Sequence, residues 1–173
     1  MRTLMIGIAL VVLLGNAQAQ SDPDELAKLK DSVKETVGKE MQGWTYRSIE
    51  PIQGSKGVII QQWQLNDIIV SVAVTRYEKD SQAENAFREF KAHLRVEENA
   101  RTNNHGKPFH LIKEDSKAWG DEGFVWDVIG SEAVAFRKGR FIVNVSVPQP
   151  QSNKDVFFSR KFAEHVVKAF KDQ

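Results

Sequence analysis

The chain contains no cysteine among its 173 residues. That absence excludes disulfides, thiolate metal sites, cysteine nucleophiles and the lipid-modified cysteine of a bacterial lipoprotein together. Small secreted animal domains usually lean on disulfides, whereas a domain of this length can stabilise itself by burial, so the absence points to a bacterial periplasmic or extracellular home. An excess of one charge is missing too, since 24 Lys and Arg face 23 Asp and Glu. Binding a phosphate backbone rests on cations gathered on one face, so no nucleic-acid partner is expected. The short cluster Arg137-Lys138-Gly139-Arg140 falls where a hairpin turn is expected and reads as a solvated turn. Neither G-x-x-x-x-G-K-S/T nor G-x-G-x-x-G occurs, which removes the glycine-rich cradles for nucleotides, and the G-x-S-x-G frame of a serine hydrolase is absent as well.

Long hydrophobic runs are also lacking. The apolar run from Leu4 to Leu14 covers eleven positions, short of the roughly 20 that a membrane-spanning helix needs. Arg2 before it and Ala17-Gln18-Ala19 after it complete the order of a signal peptide, residues 1 to 19, cleaved after Ala19. No stable membrane span remains after that cleavage, and residues 20 to 173 form one α+β domain of ordinary size. Loss of Arg2 takes Lys and Arg from 24 to 23, so the mature chain is formally neutral. The sequon Asn144-Val145-Ser146 lies in a strand pattern and is not read as a glycan acceptor.

Periodicity divides the domain. Leu26, Leu29, Val33, Val37 and Met41 recur at helical spacing, predicting an amphipathic helix over 22 to 41. Trp44 to Ile49, Val58 to Leu65 and Ile68 to Tyr77 read as strands, the last two joined by a tight turn at Asn66-Asp67. Ser81-x-x-Glu84 resembles a capping box ahead of a helix running to about Glu98 with Ala83, Ala86, Phe87, Phe90 and Leu94 on one face. A polar loop follows to Pro108, then strands over Phe109 to Lys113, Phe124 to Ile129, Ala133 to Phe136 and Phe141 to Val147. In the last of these, Phe141, Val143, Val145 and Val147 alternate with Ile142, Asn144 and Ser146, as a half-buried strand does. Ser152 or Asn153 can cap a final helix carrying Phe158, Phe162, Val166, Ala169 and Phe170. The order is α-βββ-α-ββββ-α, and hairpins make an antiparallel sheet of six or seven strands packed against amphipathic helices natural. A shift of 73 residues lays Trp63 on Phe136, Val70 on Val143 and Val72 on Val145, which is the mark of an internal pseudo-repeat of a hairpin.

Residues fit for chemistry are few. His93 and His165 sit at the edges of helical apolar faces and read as boundary residues. His105 and His110 flank Lys107-Pro108 on the polar loop, with Asp121 and Glu122 on the next. A four-residue gap across a proline loop does not impose metal geometry, so no metal and no cofactor are expected. Trp119 precedes Gly120-Asp121-Glu122-Gly123, and Phe124 and Trp126 follow it on one strand face. Aromatic side chains are enriched at binding surfaces, and core packing competes for the same residues. The candidate ligand-contacting residues are therefore Trp119, Asp121, Glu122, His105 and His110, and no catalytic residue is assigned.

The segments Gly120-Asp121-Glu122-Gly123-Phe124, Phe136-Arg137-Lys138-Gly139-Arg140 and Val143-Asn144-Val145-Ser146-Val147-Pro148 together resemble a pattern of uncharacterised exported bacterial proteins. The resemblance covers roughly the last third of the chain. It implies export and a packed α+β domain, and it carries no activity to any residue. The order of hairpins and helices is also similar to layered sandwiches of the PsbP type, a likeness of fold that does not fix function. The expectation is an extracytoplasmic, non-catalytic binding or accessory domain for an unknown protein or small ligand. The alternatives are a small secreted hydrolase or metal-dependent enzyme using His105, His110, Asp121 or Glu122, and a homodimeric interaction protein.

Overall fold

A computed structural model describes residues 23–49, 57–100, 112–128, 131–148 and 157–170. Its elements are α1 (Pro23–Glu40), β1 (Thr45–Ile49), β2 (Val58–Leu65), β3 (Ile68–Arg76), α2 (Asp80–Ala100), β4 (Ile112–Ser116), β5 (Glu122–Val128), β6 (Ser131–Lys138), β7 (Phe141–Ser146) and α3 (Phe157–Lys168). The expected α+β class and the α-βββ-α-ββββ-α order are both present. The seven strands form one antiparallel sheet in the order β1-β2-β3-β7-β6-β5-β4, so the two long hairpins meet at the centre through β3 and β7.

The helices divide between the two sheet faces. α1 buries Leu29, Val33 and Val37, and α3 buries Phe162, Ala163 and Val166, against Trp63, Val72, Phe136 and Val145 on one face. α2 lays Ala83, Phe87 and Leu94 on the other face, over Phe124, Trp126, Ala133, Ala135 and Ile142 of the β5-β6-β7 half. Each fully buried valine or leucine contributes roughly 1.5–3 kcal/mol of transfer free energy, so these two apolar layers dominate the stabilisation. Two polar links fix α1 within the first layer. The Gln61 amide donates to Lys30 O at 2.8 Å, and the Ser32 hydroxyl donates to Ala169 O at 3.1 Å.

The 73-residue echo is a true register identity. Trp63 pairs with Val70 as Phe136 pairs with Val143, and Leu65 with Ile68 as Lys138 with Phe141. Both hairpins turn in two residues whose first adopts a left-handed backbone, Asn66 at φ 52° and Gly139 at φ 54°. Asn and Gly are the residues that enter that region at least cost. Val72 pairs with Val145, which under the same shift is its own counterpart, so a pseudo-twofold axis runs through the middle of the sheet. The helices break this symmetry, because α2 and α3 follow equivalent strands yet cover opposite faces.

Three details differ from the sequence reading. β7 is buried on both faces, with Ile142 and Asn144 nearly inaccessible, because α2 covers the side expected to meet water. β4 runs from Ile112 to Ser116, three residues past the expected end at Lys113, with a register irregularity between Ile112 and Glu114; the start of the expected strand, Phe109 to Leu111, lies outside the described residues. α2 begins earlier than a box at Ser81 would allow, since the Gln82 side chain accepts the Lys79 N–H at 3.1 Å and Glu84 pairs with Arg88 at 2.7 Å instead.

Candidate functional site

The residues singled out in the sequence fall into three environments. Trp119 is 4% exposed and belongs to the layer under α1 and α3, with no hydrogen-bond partner for its indole nitrogen among the described residues. Asp121 and Glu122 meet the β6–β7 hairpin. One Asp121 oxygen accepts the Gly139 N–H at 2.7 Å, the other accepts Lys138 Nζ at 2.8 Å, and Glu122 pairs with Arg137 Nε at 2.7 Å. Burial pushes the Asp121 carboxyl upward, but the Lys138 and Gly139 hydrogen bonds with the charges of Lys138 and Arg137 outweigh it and hold the group below the usual carboxylate range. These two acids therefore tie the β5 entry to the β6–β7 hairpin turn. His105 and His110 lie outside the described residues, and among those described no group of three His, Asp or Glu converges as metal ligands would.

A second ionic group closes the end of the sheet where β3 runs out. Glu25, in the first turn of α1, lies 2.5 Å from Arg76 Nε and 2.5 Å from Arg140 Nη2. Arg76 is 5% exposed, and its contact with Glu25 is an ion pair without the alignment of a hydrogen bond. A buried charge left alone would be costly, so this contact anchors α1 to the sheet rather than offering a reactive carboxylate.

The surface that remains is the sheet itself. On the side away from α1 and α3, α2 covers only the β5-β6-β7 half. The β1-β2-β3 half presents Ile60, Gln62, Gln64, Ile69, Ser71 and Thr75, all of intermediate exposure, and neither Ile60 nor Ile69 belongs to an apolar cluster. The pseudo-twofold partners of Ile60 and Gln62 are Ala133 and Ala135, which are fully buried beneath α2. Small residues let a helix approach one half, while larger and amide-bearing ones fill the other half with side chains that reach outward. This face has no acidic side chain among the strand residues of β1, β2 and β3. Sequence reasoning offers one face of the sheet, or the loops from Asn99 to Gly123, as the contact surface without saying which face or which residues, because Val58 to Leu65 and Ile68 to Tyr77 look like ordinary strands; the signal was the alternation of Trp63 with Gln62 and Gln64.

No helix among the described residues is long and apolar enough to cross a membrane. No family model matches the chain, no curated protein matches it in sequence, and no solved structure matches its fold.

Proposed function

We propose that this chain is an exported, non-catalytic binding or accessory domain that meets its partner through the face of β1, β2 and β3 that none of the described helices covers. The observation that carries the reading is the asymmetry between the two halves of one sheet face: a helix seals the first over alanines, and the second stays half exposed with Ile60 and Ile69 among amides and hydroxyls. Surfaces that combine partly buried aliphatic groups with uncharged hydrogen-bonding groups suit protein or small-ligand contact. The acids that a hydrolase would use on the neighbouring loop, Asp121 and Glu122, are each engaged by hairpin cations, which favours the binding reading. Export rests on Arg2, the Leu4 to Leu14 run and Ala17-Gln18-Ala19.

Immobilised mature protein tests the face. A partner captured from the extracytoplasmic fraction by the wild type should be lost on Ile69→Arg with Gln62→Glu, two outward positions whose replacement leaves the core layers untouched. Equal capture by a folded double variant would reject this face. Intact mass tests export, with a secreted product beginning at Gln20 expected; a membrane-bound product retaining Met1 would reject cleavage.

A further inference from the structure

The two edges of the sheet are built differently. β4 carries Lys113, Glu114 and Asp115 and breaks register beside Ile112, while Lys113 is drawn to Asp127 at 3.2 Å and Asp115 pairs with Lys91. A short strand with an irregularity and charged side chains is protected against pairing. β1 is as short as β4 but has only one charge and no irregularity. It reads Thr45-Tyr46-Arg47-Ser48-Ile49, with no irregularity in its register to β2, and Thr45, Arg47 and Ser48 are exposed.

The phase of its free backbone groups follows from the sheet. The Arg76 N–H donates to Gly57 O at 2.8 Å, and the two-residue turn closes on Leu65 and Ile68. In an antiparallel ladder these bonds alternate, so odd-numbered residues of β2 bond to β3 and Ile60, Gln62 and Gln64 bond to β1. Their partners Ile49, Arg47 and Thr45 are thereby used, and the N–H and C=O groups of Tyr46 and Ser48 point away from the sheet. Two residues supply four hydrogen-bonding groups in a row that have no partner among the described residues. An incoming antiparallel strand that used all four would place one of its own residues directly opposite Arg47, in the closely spaced pair that is not hydrogen-bonded.

That geometry opposes a second copy of this chain. The symmetric pairing that uses both Tyr46 and Ser48 sets Arg47 against Arg47 of the other copy, and like charges directly opposite destabilise a strand pair. Sliding by two residues so that Tyr46 meets Tyr46 leaves only one pair, since the Trp44 N–H is already donated to Met41 O at 3.3 Å. Charge on the other side of the strand agrees, because Lys34 Nζ lies 4.9 Å from the centre of the Tyr46 ring. An entering strand thus meets a cation on each face of β1.

We propose that the β1 edge is a strand-addition site for an extended segment of a partner protein, one that carries a carboxylate opposite Arg47. Main-chain bonds to Tyr46 and Ser48 supply affinity, and Arg47 selects the sequence. The inference rests on the binding-domain reading and adds the kind of partner and the way it docks.

The probe is a capped seven-residue peptide, Thr-Val-Thr-Glu-Thr-Val-Thr, against the same peptide with Lys at the centre, each added to the mature protein. The Glu peptide should bind saturably at least ten-fold tighter, slow amide exchange at Tyr46 and Ser48, and lose affinity with added salt. Arg47→Glu should reverse the preference. Ser48→Pro removes one outward N–H while leaving the ladder to β2 intact, and it should weaken binding at least ten-fold. Should that variant fail to fold, N-methylation of the peptide amides that face β1 removes the reciprocal donors to the Tyr46 and Ser48 carbonyls, and on the wild type it should weaken binding likewise. Equal binding of the two peptides, no protection of Tyr46 and Ser48 at saturation, or a peptide-free dimer with these amides already protected would overturn the proposal. Loss of partner capture by the double variant Ile69→Arg with Gln62→Glu alongside a failed peptide test would leave the binding reading standing without the edge.

Discussion

The indole N–H of Trp126 donates to Oδ1 of Asn144 across 3.3 Å, passing over β6 in the layer that α2 covers. Ala133 and Ala135 lie between them in the sheet, and their small side chains let groups from β5 and β7 meet. This bond explains how an asparagine is 8% exposed in the middle of an apolar layer. It also means the sequon at Asn144 is closed to a glycan in the folded domain.

Removing one partner should cost more than removing both. Asn144→Ala strands a buried indole N–H, and by the usual penalty for an unsatisfied buried donor it should destabilise by about 1–3 kcal/mol. Trp126→Phe with Asn144→Ala should cost less than the sum of the single changes. Urea unfolding of the four proteins gives the coupling directly, and additive values would show that the bond contributes nothing.

β7 shows how far the sequence was legible. Alternation of Val143 and Val145 with Asn144 and Ser146 placed the valines toward the helices, and all three of Val143, Val145 and Val147 are fully buried on the α1 and α3 side. Alternation cannot reveal whether a polar face meets water or another layer, and Asn144 meets the layer under α2. The hairpins were readable because their turns and pairing are local, whereas the adjacency of β3 and β7 is not local and left no trace beyond the 73-residue echo. The extension of β4 to Ser116 was not legible because its residues are charged; Lys113 and Asp115 reach ionic partners on β5 and α2 that only the fold brings near. Asp121 and Glu122 were found by their neighbourhood to Trp119, but their engagement with Arg137, Lys138 and Gly139 depends on β5 pairing with β6.

Two glycines should respond in opposite directions to alanine. At Gly120, φ is +81° and an added Cβ would lie 2.4 Å from Arg137 O, a backbone atom fixed by the Asp121 N–H at 2.8 Å. Gly120→Ala should therefore lose at least about 2 kcal/mol through backbone strain and displacement of the β6 strand. Gly38 sits in the last turns of α1 with nothing within 4 Å of an added Cβ. Gly38→Ala should gain about 0.5–1 kcal/mol by limiting the unfolded chain and favouring the helix. Thermal melts of the two variants decide it, and a destabilised Gly38→Ala would mean that the backbone there is needed for something other than α1.

The Asp121 contacts predict an acid-sensitive hairpin. Its carboxyl is held below the ordinary range in the folded state, so its contribution is present above the unfolded value near 3.9 and is lost as pH falls through the folded value. The side chain is 33% exposed, and solvent screening limits the effect. Asp121→Asn should cost about 1 kcal/mol at pH 7 and close to nothing once the wild-type carboxyl is protonated. Chemical unfolding at neutral and strongly acid pH compares the two, and a cost independent of pH would mean that the Gly139 and Lys138 contacts act by shape alone.

His165 acts in the opposite chemical sense. It lies on α3 at 9% exposure, 3.9 Å from Glu40 of α1 and 3.4 Å from Lys168 Nζ. Burial lowers its proton affinity, the charges of Lys168 and Lys161 lower it further, and Glu40 and Glu164 offset part of that. In the unfolded chain a histidine titrates near 6.5, so above that pH both states are neutral and the group favours neither. As pH falls below about 6.5 the unfolded chain takes a proton that the folded one resists, and stability is lost until pH reaches the lowered folded value. His165→Gln removes this titration, so the stability difference between wild type and variant should move in favour of the variant between pH 7.5 and 5.5. Glu40→Gln should steepen the wild-type loss, because the carboxylate that assists protonation in the folded state is gone. Urea midpoints across that range measure both, and parallel curves for wild type and His165→Gln would show that the α1–α3 contact does not sense the proton.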